Sequence, residues 1–158
     1  MALTRINNNS LSSVTAAGLP AGSVIQVVGA NDIITATNDN STTFQPSTLT
    51  ATITPTSTLN KILVFVTFSA TQDGGSNIQS STTIYRDATN LRPSGTCNFM
   101  YDHPGGNVGF SATYMFYDSP PTTSATTYTL YYKVANNSSF FRAVAGTDTI
   151  TLMEIAGA

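Results

Sequence analysis

The sequence predicts an all-β fold: a two-sheet jelly-roll sandwich of about eight strands, preceded by a short extended arm. Three observations carry this. From Ser23 onward, short runs of β-branched and aromatic residues alternate with clusters of Gly, Pro, Asn and Asp, which is the punctuation of a sandwich or barrel. No segment repeats its apolar residues with a helical period. Charged residues make up 9% of the chain against roughly a quarter in an ordinary soluble domain, so Ser, Thr and Asn fill the polar positions.

Residues 1–22 differ from the rest. They hold a run of three Asn, scattered small and apolar residues, and the turn pair at Leu19-Pro20 before Gly22, and they read as an arm, leaving residues 23–158 as the domain. Eight strands are expected: Val24 to Val28, Leu49 to Thr54, Lys61 to Ala70, Ser81 to Asp87, Val108 to Asp118, Thr126 to Ala135, Ser139 to Val144 and Asp148 to Ile155. The segments between them carry bend-forming chemistry, among them Pro55, Asp73-Gly74-Gly75, Pro104-Gly105-Gly106, Pro120-Pro121, Asn136-Asn137 and Gly146. Eight such strands suit a two-sheet jelly roll.

Strand patterning points to self-association. In Lys61 to Phe68 one face holds Ile62, Val64, Val66 and Phe68, while the other holds Leu63, Phe65 and Thr67. The last strand likewise sets Ile150 and Leu152 on one face and Met153 and Ile155 on the other. A sheet face left in water alternates cleanly with polar residues. A two-layer sandwich covers one side of each sheet, so the second apolar side is expected to pack on another copy of the chain. Leu63, Phe65, Met153, Glu154 and Ile155 are the expected subunit-interface residues. Glu154, the single glutamate, is expected to be buried in an ion pair with Arg86, Arg92, Arg142 or an arginine of a neighbouring subunit.

Composition excludes several classes. Six basic and eight acidic side chains give a net charge of -2 without a basic run, so nucleic acid is not an expected partner. No stretch approaches the roughly 18 apolar residues of a membrane span, and the N-terminus lacks the apolar core of a signal peptide, so membrane insertion is not expected and synthesis is expected in the cytoplasm. Cys97 is alone, which rules out an internal disulfide and leaves a small buried hydrophobe as its reading.

Catalytic chemistry finds no constellation. His103, the single histidine, lies in Tyr101-Asp102-His103-Pro104-Gly105-Gly106, where Asp102 could orient it, but no Gly-x-Ser-x-Gly elbow supplies a nucleophile. Asp32, Asp39, Asp73, Asp102 and Asp148 stand where Asp commonly caps a bend. One His, one Cys and irregularly spaced acids do not make a metal site. No enzyme activity, metal or cofactor is expected. Of the tyrosines, Tyr85, Tyr114, Tyr117, Tyr128, Tyr131 and Tyr132 read as core or subunit packing. Tyr101, with Asp102 and His103, and the Asn136-Asn137 turn are candidate binding loops for carbohydrate, which aromatic rings stack on and amides hydrogen-bond.

Four segments carry a resemblance: ALTRINNNSLSSVTAAGLPAGSVIQVV at Ala2 to Val28, ITPTSTLNKILVFVTF at Ile53 to Phe68, DSPPTTSATTYTLYYK at Asp118 to Lys133, and ITLMEIA at Ile150 to Ala156. The chain resembles small virion structural proteins of tailed phages of cyanobacteria and other aquatic bacteria, the tail-fibre, fibre-tip and head-surface proteins. The resemblance implies a jelly-roll knob of the complement and tumour-necrosis-factor type, assembled as a homotrimer in the virion. It also implies an arm that attaches to other virion structural proteins, where Leu3, Ile6, Leu11, Val14 and Leu19 are the apolar residues able to dock. Either capsid decoration or a short fibre tip fits a knob so close to its attachment point. A receptor-binding module for host surface carbohydrate is the second reading.

Overall fold

The computed structural model describes residues 19–32, 40–74, 80–92, 97–99, 108–135, 139–143 and 148–157. They form ten strands: β1 Val24–Asp32, β2 Gln45–Ile53, β3 Lys61–Gly74, β4 Ser80–Arg86, β5 Thr89–Asn90, β6 Cys97–Phe99, β7 Val108–Asp118, β8 Thr126–Val134, β9 Ser139–Ala143 and β10 Asp148–Ile155. No helix occurs among the described residues. The strands make two antiparallel sheets, compatible with a β-sandwich.

The first sheet runs β1-β10-β3-β7. On the β10 side of β3 the partner changes along its length: β10 pairs with Lys61 to Thr67, and β9 with Ala70 to Gly74. The second sheet runs β2-β8-β4-β5, with β6 also on β4. β5 pairs at Tyr85 and Arg86, and β6 at Ser80 to Thr82. Strict alternation turns every second side chain inward. Ile62, Val64, Val66, Phe68, Ile150 and Leu152 of the first sheet meet Leu49, Ile53, Ile84, Tyr128, Leu130 and Val134 of the second in one core.

The observed elements depart from the expected eight in instructive ways. β1 runs on to Asp32 because its ladder with β10 continues from Gly29 opposite Thr151 to Asp32 opposite Asp148. β2 starts at Gln45 and takes in Pro46, with an irregular register between Pro46 and Thr50. A proline without an N–H is tolerated there because β2 is an edge strand. β5 and β6, too short to announce themselves in a pattern, interrupt what would be a single strand beside β4. Asp87, expected at a strand end, adopts φ 50 in the turn before β5, and its carboxylate accepts from the Thr127 N–H at 3.0 Å. Asp tolerates this left-handed backbone better than most residues. Asp32 and Asp148 lie within strands instead of bends, and the buried Asp148 accepts from the Ser69 N–H at 2.8 Å. The side chain of Cys97 lies outside the described residues.

On β4 the inward side chains of Ser80 and Thr82 are fully buried, and their hydroxyls have no hydrogen-bond partner. An unpaired buried hydroxyl carries its desolvation cost uncompensated. Thr82→Val, which keeps the shape and removes the hydroxyl, should therefore raise the unfolding free energy by about 1 kcal/mol. Urea denaturation of both proteins checks this, and a destabilised variant would refute it.

Candidate subunit interface

The outer face of the first sheet is built by the residues between the core positions. On β3 these are Lys61, Leu63, Phe65, Thr67, Ser69 and Thr71. Register places Met153 and Tyr117 on either side of Leu63, and Thr151 and Met115 on either side of Phe65. Val27 of β1 stands beside Met153, and Val24 beside Ile155. A row Val27-Met153-Leu63-Tyr117 thus crosses the whole sheet, with Phe65 and Met115 above it and Ile155 below. Leu63, Phe65, Met153 and Ile155 are half-buried among their neighbours, while Val27 is 56% exposed and Met115 and Tyr117 are each 61% exposed.

Further along, the same face changes chemistry. Thr67 and Thr113 share a hydrogen bond at 3.0 Å, and Ser69 and Ser111 share one at 2.9 Å, so the hydroxyls satisfy each other in cross-strand pairs. The face is divided into an apolar band, at the end where β3 begins, and a hydroxyl field beyond it. Among its described residues Lys61 is the one charged side chain, and its ammonium donates to the Ser119 hydroxyl at 2.8 Å.

The second sheet solves the same problem within the chain. Tyr85 stacks on Tyr131 with ring centroids 3.9 Å apart, Phe44 meets Tyr85 edge-on at 6.3 Å, and the Lys133 ammonium lies 4.7 Å from the Phe44 ring centre. The outward-facing Ser81 and Thr83 of β4 are buried too, and the Thr83 hydroxyl donates to Asn90 Oδ1 at 2.9 Å. Phe44 is not a candidate from sequence. Its one signal is a lone aromatic in the polar stretch Ser41 to Gln45, and what it covers depends on β8 and β4, far away in the chain.

Glu154 corrects two expectations. It does not share the outer face with Met153 and Ile155, because the alternation that turns those outward turns Ile150, Leu152 and Glu154 inward. Among the described residues it also has no ion-pair partner. Its fully buried carboxylate accepts from Gln26 Nε2 at 2.6 Å, the Thr56 N–H at 2.6 Å, the Thr56 hydroxyl at 2.9 Å and Asn60 Nδ2 at 2.6 Å. Burial pushes the carboxyl pKa up, but the hydrogen bonds from Asn60, Gln26 and Thr56 outweigh it and hold it below its ordinary 4.5. Arg86 instead serves Asp118, with Nη1 2.8 Å from each carboxylate oxygen. Arg92 stands 5.7 Å over the Phe116 ring, and the Arg142 side chain lies outside the described residues.

Of the expected attachment residues, Leu19 is half-buried at the start of the described chain, while Leu3, Ile6, Leu11 and Val14 lie outside it. Tyr101, Asp102, His103, Asn136 and Asn137 also lie outside the described residues. The strand ends that bracket those two loops can be placed: Phe99 and Val134 flank Ser80, and Val108 and Ser139 sit beside Gln72 and Gly74. All of these ends are at the edge of the sheets opposite Val24 and Lys61. Among the described residues no cluster of His, Cys, Asp and Glu side chains could hold a metal ion, and no helix is long and apolar enough to cross a membrane. Compared with known proteins, the chain matches no protein-family model and no curated protein.

Proposed function

We propose that the chain is a bacteriophage virion structural protein, a homotrimeric jelly-roll knob held to the particle by its N-terminal arm. The observation that carries this is the apolar band on the first sheet, beside which Lys61 is the one charged side chain among the described residues of the face. On the second sheet Phe44 packs against the outward Tyr85, whereas among the described residues no such side chain packs over Leu63, Phe65, Met115, Tyr117 and Met153. A face whose described residues carry one charge, Lys61 at its margin, can meet copies of itself around a common axis with little charge repulsion, and its aromatic and methionine content is that of an interface core. The jelly-roll part draws on the nesting of the strands. If β5 and β6 count as one interrupted strand and β9 as an extension of the β10 position, the first strand pairs with the last, β2 with β8, β3 with β7, and β4 with β5 and β6. That is one long antiparallel hairpin rolled into two sheets. The virion setting draws on the resemblance of the four segments. The role is assembly and display, without catalysis.

Light scattering on the purified protein should give three times the 16.6 kDa chain mass. Leu63→Asp combined with Phe65→Asp should weaken association by at least about 30-fold, the factor that about 2 kcal/mol of lost contact represents, and leave a folded monomer. A wild-type monomer at micromolar concentration would overturn the reading.

A second reading, recognition of host carbohydrate, is favoured by one observation: the strand ends that lead into the Tyr101 and Asn136 loops gather at the edge opposite the arm. Those loops would then face outward from the particle. Glycan binding that is lost in Tyr101→Ala, with trimer mass retained, would support it.

A further inference from the structure

The outer face of the second sheet is chemically unlike the apolar band of the first. Alternation on β8 turns Tyr128, Leu130 and Tyr132 into the core and Thr127, Thr129, Tyr131 and Lys133 outward. Register sets Tyr131 beside Thr83 and Thr129 beside Tyr85 on one side, and Thr129 beside Thr50 and Thr127 beside Thr52 on the other. The two threonine pairs share hydrogen bonds at 2.9 and 2.8 Å. Next to them the Tyr85 and Tyr131 rings lie stacked with 22° between their planes, and Phe44 and Lys133 stand beside the stack.

Three features suit this face to a hydrated, hydroxyl-bearing ligand. The exposed large hydrophobics among the described residues are Val24, Val27, Leu59, Met115 and Tyr117, and none of them belongs to the second sheet, so an apolar partner has little to bury here. Tyr85 and Tyr131 are half-buried, and neither phenol hydroxyl has a hydrogen-bond partner among the described residues. No described carboxylate pairs with Lys133, whose ammonium is held against an aromatic ring.

We propose that the face formed by Tyr85, Tyr131 and Lys133 binds an acidic polysaccharide through a uronate-type sugar, a pyranose ring bearing a carboxylate. The C–H side of the pyranose lies on the tyrosine rings, its hydroxyls exchange hydrogen bonds with the phenols and threonines, and its carboxylate meets the Lys133 ammonium in a charge-assisted bond. The site stands on strands and uses neither the Tyr101 nor the Asn136 loop. Its outward position rests on the trimer reading, in which the first sheet faces the neighbouring copies and the second faces away from them; its chemistry does not.

The test titrates the full chain, by calorimetry, with oligogalacturonate, oligoalginate, neutral oligogalactan and a poly-glutamate peptide. At least one of the two acidic sugars should bind, at least about tenfold more tightly than the neutral one. Lys133→Met, which keeps a long side chain beside Phe44, should remove that preference; Tyr131→Leu should weaken binding at least about fivefold, and Tyr101→Ala should leave it unchanged. No binding of either acidic sugar at about 10 mM, an unaltered preference in Lys133→Met, or tighter binding of the peptide than of the sugars would overturn the proposal. Loss of binding in Tyr101→Ala alone would overturn it in favour of the loops. Light scattering on the same samples reports the oligomer independently, so a monomer that binds the acidic sugar through Lys133 would sink the trimer reading while upholding this one.

Discussion

Replacing Arg86 with Met should lower the unfolding free energy by about 3–5 kcal/mol, the usual cost of stranding one member of a buried ion pair. Asp118 closes β7 in the first sheet and Arg86 closes β4 in the second, so the pair ties the two sheets together at one end of the core. Asp118 is 8% exposed, and its oxygens receive Arg86 Nη1 at 2.8 Å and the Tyr128 hydroxyl at 2.7 Å. Without the guanidinium, a carboxylate that water barely reaches keeps one neutral donor. Burial and the bond to Asp118 push the Tyr128 phenol well above its ordinary range, so it stays protonated and cannot replace the lost charge. Tyr128→Phe should cost less, about 1.5–3 kcal/mol, as the loss of one hydrogen bond to a charged acceptor. The double variant Arg86→Met with Asp118→Leu should recover most of the loss, since an apolar pair of similar volume often matches a buried ion pair. In a protein of this size each kcal/mol moves the melting temperature by about 2–4 °C, so calorimetry resolves the ranking. A double variant as unstable as Arg86→Met alone would mean that the arginine acts through packing and not through charge.

The parts of the fold legible in the sequence are those set by period. The alternation of Ile62, Val64, Val66 and Phe68 against Leu63, Phe65 and Thr67 identifies both the core side and the apolar outer side of β3 without knowledge of any partner strand. The same parity, applied through Ile150 and Leu152, turns Glu154 inward. The outward expectation fails because it rests on a different cue, a lone acid in an apolar strand, which suggests a charged partner across an interface. The true partners of Glu154 come from a strand at Gln26 and a loop at Thr56 and Asn60, brought close only by tertiary folding. Arg86 and Asp118 are illegible as a pair for the same reason, since their meeting depends on which strand ends coincide across two sheets. The Phe44 cover is a third case, where one aromatic in a polar stretch acquires its role from strands more than 40 residues away.

Asn60→Asp should be as damaging as Arg86→Met at this end of the core, and its pH dependence should run opposite to the wild type. Asn60 Nδ2 donates to Glu154 at 2.6 Å and to the Thr56 hydroxyl at 3.1 Å, while its Oδ1 accepts from the Gly157 N–H at 3.0 Å. Aspartate preserves the contact to Gly157 but removes the donor and sets a second carboxylate against the first. Two such groups cannot both ionise cheaply out of water, and a loss of about 3–5 kcal/mol is expected near pH 8. In the wild type the Glu154 carboxyl is held below its ordinary 4.5, so the unfolded chain takes up its proton first as the solution is acidified. The stability that Glu154 contributes is complete above pH 4.5 and declines as the pH falls through the lower folded-state value. In the variant one carboxyl of the pair is raised, so the folded state binds a proton before the unfolded chain does. Acidification from about pH 8 towards 5 should then stabilise the variant, closing part of its gap to the wild type. Urea unfolding at several pH values reads the slope directly. Parallel curves for the two proteins over that interval would show that the introduced carboxylate escapes to solvent and that the cage of donors around Glu154 is looser than its distances imply.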